Sequence, residues 1–299
     1  MVGSSSGVSM PFNSNLSIIA FFRVGSANSS FLIFFYQIAL GGMFALAGTP
    51  FHEIERGFYK STAGVLYFIA LVAFCAKSSF YLHEVRQSVS LGLGWEILFH
   101  SAFILAFTAY MISLWGERQL FRARSFSITV LTGLAGLLIS THSFSSAPLV
   151  AVESVIYPTA FLLSSLLLGS VTVGMLIGHW YLIDTGQSLA PFIRIYKFFV
   201  YALVAQCVFY LLAPLALYLA GSSASIKALQ RLWQNHSTLL VSRLIAGQIA
   251  PLILSWMIWR TLLIPHTMAA TGLFYIALLG VFVGEILGRQ ILALTSLPF

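Results

Sequence analysis

Two pairs of ionisable residues sit four apart inside apolar runs, and any chemistry of this chain would start there. Glu96 and His100 share one helix face, and so do Glu285 and Arg289. An imidazole with a reference pKa of about 6.5, beside a carboxylate, is a workable proton acceptor. A carboxylate beside a guanidinium neutralises two charges that would each cost on the order of 2.5–3.5 kcal/mol within a bilayer. Glu285 and Arg289 therefore suit a structural ion pair as well as a functional one. His83 ends the apolar run before Glu96, so the short connection lets His83, Glu96 and His100 converge. A rival group, His179, Tyr181 and Asp184, belongs to the opposite ends of the helices. There the plain reading is an interfacial histidine bonded to a backbone carbonyl.

Histidines on facing helices at similar depth could also hold haem b. His100 could face His83 or His142, and His179 could face His52 or His266. No His-x-x-x-His or Glu-x-x-His occurs on one helix face, so no metal site is expected. Cys75 and Cys207 lie in apolar runs without a redox or metal spacing and are expected to pack.

The elements that must carry these residues follow from composition. Of 299 residues, 59% are hydrophobic and 8% are charged. Mean hydropathy is +0.93. Soluble domains carry roughly 25% charged residues, so a soluble enzyme is excluded. Continuous apolar runs of about 20 residues recur, each enough to cross a hydrocarbon core of ~30 Å, and they lack the alternation of a β-barrel. The chain is expected to be an all-α membrane protein, a bundle of about eight transmembrane helices over 30–292. The partner is then the lipid bilayer. The net charge of +7 is spread beside the spans and is no nucleic-acid signal.

The spans are placed at Ser30–Thr49, Ser61–Leu82, Gly94–Trp115, Phe126–Ser143, Val155–Ile183, Tyr196–Ala220, Leu239–Ile264 and Thr267–Leu292. Residues 1–29 read as a polar tail and 293–299 as a short C-terminal tail. Connections after the odd-numbered spans hold Arg56, Lys60, Arg118, Arg122, Arg124, Arg194 and Lys197, with Arg260 at the last. The opposite side has Arg23, Arg86, Lys227 and Arg231. That bias puts the first set in the cytoplasm and both termini outside. Glycines at 41–42, 133 and 136, and 169, 174 and 178 are packing positions where helix backbones come close.

Gly284-Glu285-Ile286-Leu287-Gly288-Arg289 in the last span, with the run Phe161–Gly169 in the fifth, resembles the membrane anchor subunit of dimethyl sulfoxide reductases. The broader relatives are the anchors of polysulfide and nitrite reductases. The resemblance implies a subunit that exchanges electrons and protons with menaquinone or ubiquinone near the outer face. It would lack a complete active site of its own. It would serve an iron–sulfur electron-transfer subunit, with a molybdopterin catalytic subunit beyond, in a bacterial or archaeal cytoplasmic membrane. In that family a histidine at the outer end of span two and a glutamate at the outer start of span three matter for quinol, the places His83 and Glu96 occupy here. The quinone-binding set is then His83, Glu96, His100, Glu285 and Arg289, and haem b becomes the less favoured cofactor.

Two other functions compete. A small-solute transporter needs a polar site near the midplane, usually beside a broken helix, and the span centres carry almost no charge. A non-catalytic scaffold or assembly subunit needs no site, and its outer-layer substitutions would be silent.

Overall fold

A computed structural model describes residues 32–51, 53–87, 91–142, 144, 151–184, 186–264 and 266–299. The tail expected over 1–29 lies outside the described residues, as does His52. Among the described residues there is no strand. The helices are α1 (Leu32–Ala47), α2 (Arg56–Gln87), α3 (Leu91–Ser113), α4 (Gln119–His142), α5 (Glu153–Ile183), α6 (Ala190–Ala220), α7 (Ser223–Asn235), α8 (Ser237–Leu244), α9 (Ala250–Leu263) and α10 (Thr267–Thr295). A single π turn, Ile245–Ile249, joins α8 to α9 into one rod. Seven of these rods are long and apolar enough to cross a membrane, the make-up of an integral multi-pass membrane protein. The first expected span is described only as the shorter Leu32–Ala47.

Several helices outrun their apolar stretches. α4 starts at Gln119 rather than Phe126, and α6 at Ala190 rather than Tyr196. Arg122, Arg124 and Arg194 fall in these added turns, and Arg124 and Arg194 reach toward water there while Arg122 is buried. Residues 293–299 continue α10 to Thr295 and turn at Ser296, which has φ 62°. Leu297 and Phe299 are then buried.

α1 and α5 form the centre. α1 is buried on nearly every face, and Gly41 and Gly169 bring its backbone against that of α5 with no room for a Cβ on either. Ser165 donates to the Gln37 carbonyl at 3.0 Å, and the Gln37 amide donates to the Phe161 carbonyl at 2.7 Å. Around this pair α3 packs on α2 and α4, while α5 packs on α6 and α10, and α10 on the α8–α9 rod. Gly133 of α4 faces Leu40 and Phe103, Gly174 faces Phe274, and Gly178 faces Thr271.

α7 occupies the connection between α6 and the α8–α9 rod. Ile226, Leu229 and Trp233 recur at helical spacing among polar residues, the pattern of a helix lying at an interface. Ser222 caps it, and Glu153 accepts from the Ser222 N–H and the Ser225 hydroxyl, both at 2.7 Å. The π turn has a local cause as well. Pro251 has no N–H and its ring crowds the carbonyl four residues back, and the Ala250 N–H reaches the Ile245 carbonyl instead, a five-residue step.

Candidate functional site

Two buried polar clusters lie toward the end of the bundle at which α3 and α5 begin and α2, α4, α6 and α10 finish. The first is built by α2, α3 and α4. Lys77 donates to the Glu96 carboxylate in an ion pair, and the Ser140 hydroxyl donates to the same oxygen at 2.8 Å. All three side chains are buried. Both donors converge on one carboxylate oxygen, whose two lone pairs can accept them together.

His100 stands one turn along from Glu96 and is 2% exposed. Its Nδ1 lies 2.9 Å from the Glu96 backbone carbonyl. A carbonyl can only accept, so Nδ1 carries a proton, and in the neutral ring Nε2 presents its lone pair. Nε2 has no hydrogen-bond partner among the described residues. The ring packs on Tyr36 of α1 at 4.5 Å between centroids and edge-on to Tyr81 at 6.3 Å. Tyr36 is fixed by donating to the Gly133 carbonyl at 2.7 Å, and Gly136 leaves the space that both rings use. The i,i+4 spacing thus puts Glu96 and His100 on one wall, but their side chains do not bond to each other. The carboxylate turns to Lys77 and Ser140, and the imidazole turns back to the main chain. His83 and His142 end α2 and α4 on the same side, and their side chains lie outside the described residues.

The second cluster is built by α5, α6, α8, the π turn and α10. Glu285 pairs with Arg289 at 3.4 Å and with Arg243 at 3.6 Å. The Gln206 amide donates to Glu285 at 2.7 Å and lies 3.2 Å from the Ser164 hydroxyl and 2.9 Å from that of Tyr210. Gln248, in the π turn, donates to the Gln206 carbonyl oxygen at 3.0 Å and accepts from the Cys207 thiol. Arg243 also donates to the Tyr210 hydroxyl and the Phe299 carbonyl. The Arg289 guanidinium lies over the Phe161 ring at 4.7 Å. Glycine is required at three points. A Cβ on Gly247 or Gly284 would meet the other's backbone, and one on Gly288 would displace the Arg243 guanidinium.

The expected quinone set therefore divides. Glu96 and His100 belong to the first cluster, Glu285 and Arg289 to the second, and Phe161 with α1 lies between them. The pairing of Glu285 with Arg289 and the contact of that pair with the seventh span, through Arg243, follow the sequence reading. The second cluster is deeper than that reading placed it, because Gln206 and Gln248 fall near the middles of their rods. Both glutamines, together with Ser140, Ser164, Tyr36 and Tyr210, were missed as site residues. An amide within an apolar run must find partners, so the glutamines in spans were the available signal.

The rival group does not converge. His179 is exposed, and its Nδ1 lies 3.4 Å from the Tyr275 hydroxyl. Tyr181 donates to the Ser188 carbonyl, and Asp184 accepts from the Gln187 amide at 2.5 Å and the Gly186 N–H at 3.3 Å within its own turn. No protein-family model, curated protein or solved structure matches the chain.

Proposed function

We propose that this chain is the quinone-reactive membrane subunit of a redox complex and that His100 takes the proton from a quinol hydroxyl. The observation that carries the reading is the lone pair of His100 Nε2, buried and without a partner among the described residues, in a ring oriented by the Glu96 carbonyl. Quinol oxidation needs an acceptor for the hydroxyl proton and flat apolar walls for the ring. His100 supplies the first, and Tyr36, Tyr81 and Phe103 supply aromatic surface beside it. The Lys77–Glu96 pair holds the acceptor wall in place.

With the dimethyl sulfoxide reductase anchor resemblance, the fuller proposal has eight spans and both termini outside. The quinone is menaquinone or ubiquinone, the partner is an iron–sulfur subunit, and the setting is a bacterial or archaeal cytoplasmic membrane. The same Nε2 is what an axial haem ligand would offer, and a reduced-minus-oxidised spectrum of the purified protein separates the two uses. The deciding experiment is His100→Gln, which keeps a hydrogen-bonding side chain and removes the titratable nitrogen. Quinol-linked electron transfer in membranes carrying the assembled complex should fall about 100-fold, within the range for loss of a general base. Turnover equal to wild type would overturn the assignment.

One observation favours a second reading, a small-solute transporter. Gln248 enters the second cluster from the π turn, and π turns are frequent at functional sites. Solute uptake abolished by Gln248→Ala, with quinol turnover intact, would select it.

A further inference from the structure

At the opposite end of the bundle, where α2 and α4 begin, an open cavity of about 520 Å³ lies between the end of α1 and the first turns of those two helices. Neither cluster above reaches it. Leu46, Phe51 and Phe126 give it an apolar wall, while Arg56, Arg122 and Ser127 give it a polar one. Arg122 is only 6% exposed. Its guanidinium rests on the Phe51 ring at 5.2 Å, and Nη2 donates to the Gly116 carbonyl at 2.8 Å. Its Nε is buried with no hydrogen-bond partner among the described residues. Among the described residues no carboxylate pairs with Arg122. The nearby Glu117 carboxyl is taken by Arg56, whose hydrogen bond and charge hold it below the ordinary glutamate range.

The two helix N-termini add to this. Arg56 and Gln119, the first residues of α2 and α4, both line the cavity. The first N–H groups of a helix have no partner within it, and the helix dipole places positive potential there. A buried guanidinium with an unused donor, beside two such termini, is a receptor for an oxyanion. The cavity is within the size range of sites for whole organic ligands, larger than inorganic phosphate needs. Its apolar wall suits a hydrocarbon chain. The level is that of a membrane interface, since Lys60 packs over the Trp115 ring at 5.2 Å close by.

We propose that this cavity binds the phosphate of an anionic phospholipid, with Arg122 and the α4 N-terminus on the phosphate oxygens and Leu46, Phe51 and Phe126 along the upper acyl chain. The bound lipid adds to the Arg122–Phe51 and Arg56–Glu117 contacts in fastening α4 to the end of α1 and the start of α2.

The test uses the full chain purified in neutral detergent and stripped of lipid. Phosphatidylglycerol in mixed micelles should raise Tm by several degrees, and native mass spectrometry should retain it. Phosphatidylcholine at the same concentration should do neither. Arg122→Gln should abolish the difference between the two lipids. Ala123→Trp, which keeps Arg122 and fills the cavity, should abolish it too and serves where Arg122→Gln fails to fold. Equal responses to both lipids in the wild-type protein overturn the proposal, as does a phosphatidylglycerol response that survives either substitution. An identical shift with inorganic phosphate alone would assign the site to a free anion and overturn the lipid.

Discussion

The Glu96 and Glu285 clusters use the same ingredients, a buried carboxylate, a cation and neutral donors, but leave different valences open. Around Glu285 the donors outnumber the acceptors. Two arginines and a glutamine converge on one carboxylate, and Gln206 and Gln248 bond to each other rather than to anything outside. Around Glu96 a lysine and a hydroxyl donate to the carboxylate, and the imidazole beside it keeps an acceptor without a partner among the described residues. Burial alone does not separate them, since both are nearly inaccessible. What separates them is the unused lone pair, and an unused lone pair is what proton transfer needs. The Glu285 cluster is built as a joint between α5, α6, the α8–α9 rod and α10. The Glu96 cluster is built as a joint with one open bond.

The largest expected effect belongs to the joint. Glu285→Leu leaves Arg243 and Arg289 buried without a carboxylate, and breaking a buried pair from one side costs about 3–5 kcal/mol. Unfolding in mixed detergent micelles measures it. Adding Arg289→Leu should restore only part of the loss, because Arg243 stays unpaired. Full recovery in the double variant would show that Arg243 does not belong to the cluster, and that its likeness to the simpler Lys77–Glu96 pair is closer than drawn.

Next comes the simpler pair. Lys77→Met removes the cation that donates to Glu96 and is expected to destabilise by about 3 kcal/mol. Here the double variant, Lys77→Met with Glu96→Leu, should recover most of the loss, since it removes both charges of the pair together. A double-mutant cycle on the two pairs thus distinguishes a two-body from a three-body cluster. Equal residual losses would erase the difference between the regions.

The sequence carried these regions unevenly. Hydropathy located the rods because each must satisfy its backbone inside lipid. It placed their ends poorly, because α4 and α6 continue as helices into turns that hold arginine. It passed over α7, whose apolar residues at 226, 229 and 233 show only as a helical stripe and never as a run. The Glu96–His100 and Glu285–Arg289 spacings were visible because four residues span one helical turn. Their true partners, Lys77, Ser140, Gln206 and Arg243, come from other rods at distances of 19, 44, 79 and 42 residues along the chain. No local pattern encodes which rods face each other. The π turn was equally hidden, since Pro251 signals a disturbed helix without saying how the chain resolves it.

A third effect concerns the space around His100. A Cβ on Gly136 would lie 2.6 Å from the Tyr36 hydroxyl but 3.5 Å from the carbon that bears it. Gly136→Ala therefore overpacks against a single atom, a strain of roughly 1–3 kcal/mol. Adding Tyr36→Phe removes that atom and should relieve most of it. Persistence of the full loss in the double variant would mean that the crowding falls on His100 instead. The acceptor wall would then be tighter than the Glu285 joint rather than looser.

The smallest effect is Tyr36→Phe alone, and it isolates the open bond from its setting. The hydroxyl makes one interhelical hydrogen bond, from α1 to the Gly133 carbonyl of α4. Such bonds within membranes average about 0.6 kcal/mol, and a shift of that size is expected in detergent unfolding. The ring stays, so its tilted packing on His100 at 4.5 Å stays, and His100 Nδ1 keeps the Glu96 carbonyl. Because neither partner of the imidazole changes, quinol-linked turnover should match wild type within about twofold, a change under the 1.4 kcal/mol that tenfold represents. Turnover that falls as far as in His100→Gln would show that the Tyr36 hydroxyl itself serves the proton. The first cluster would then resemble the second, a network acting as a unit rather than a frame around one free acceptor.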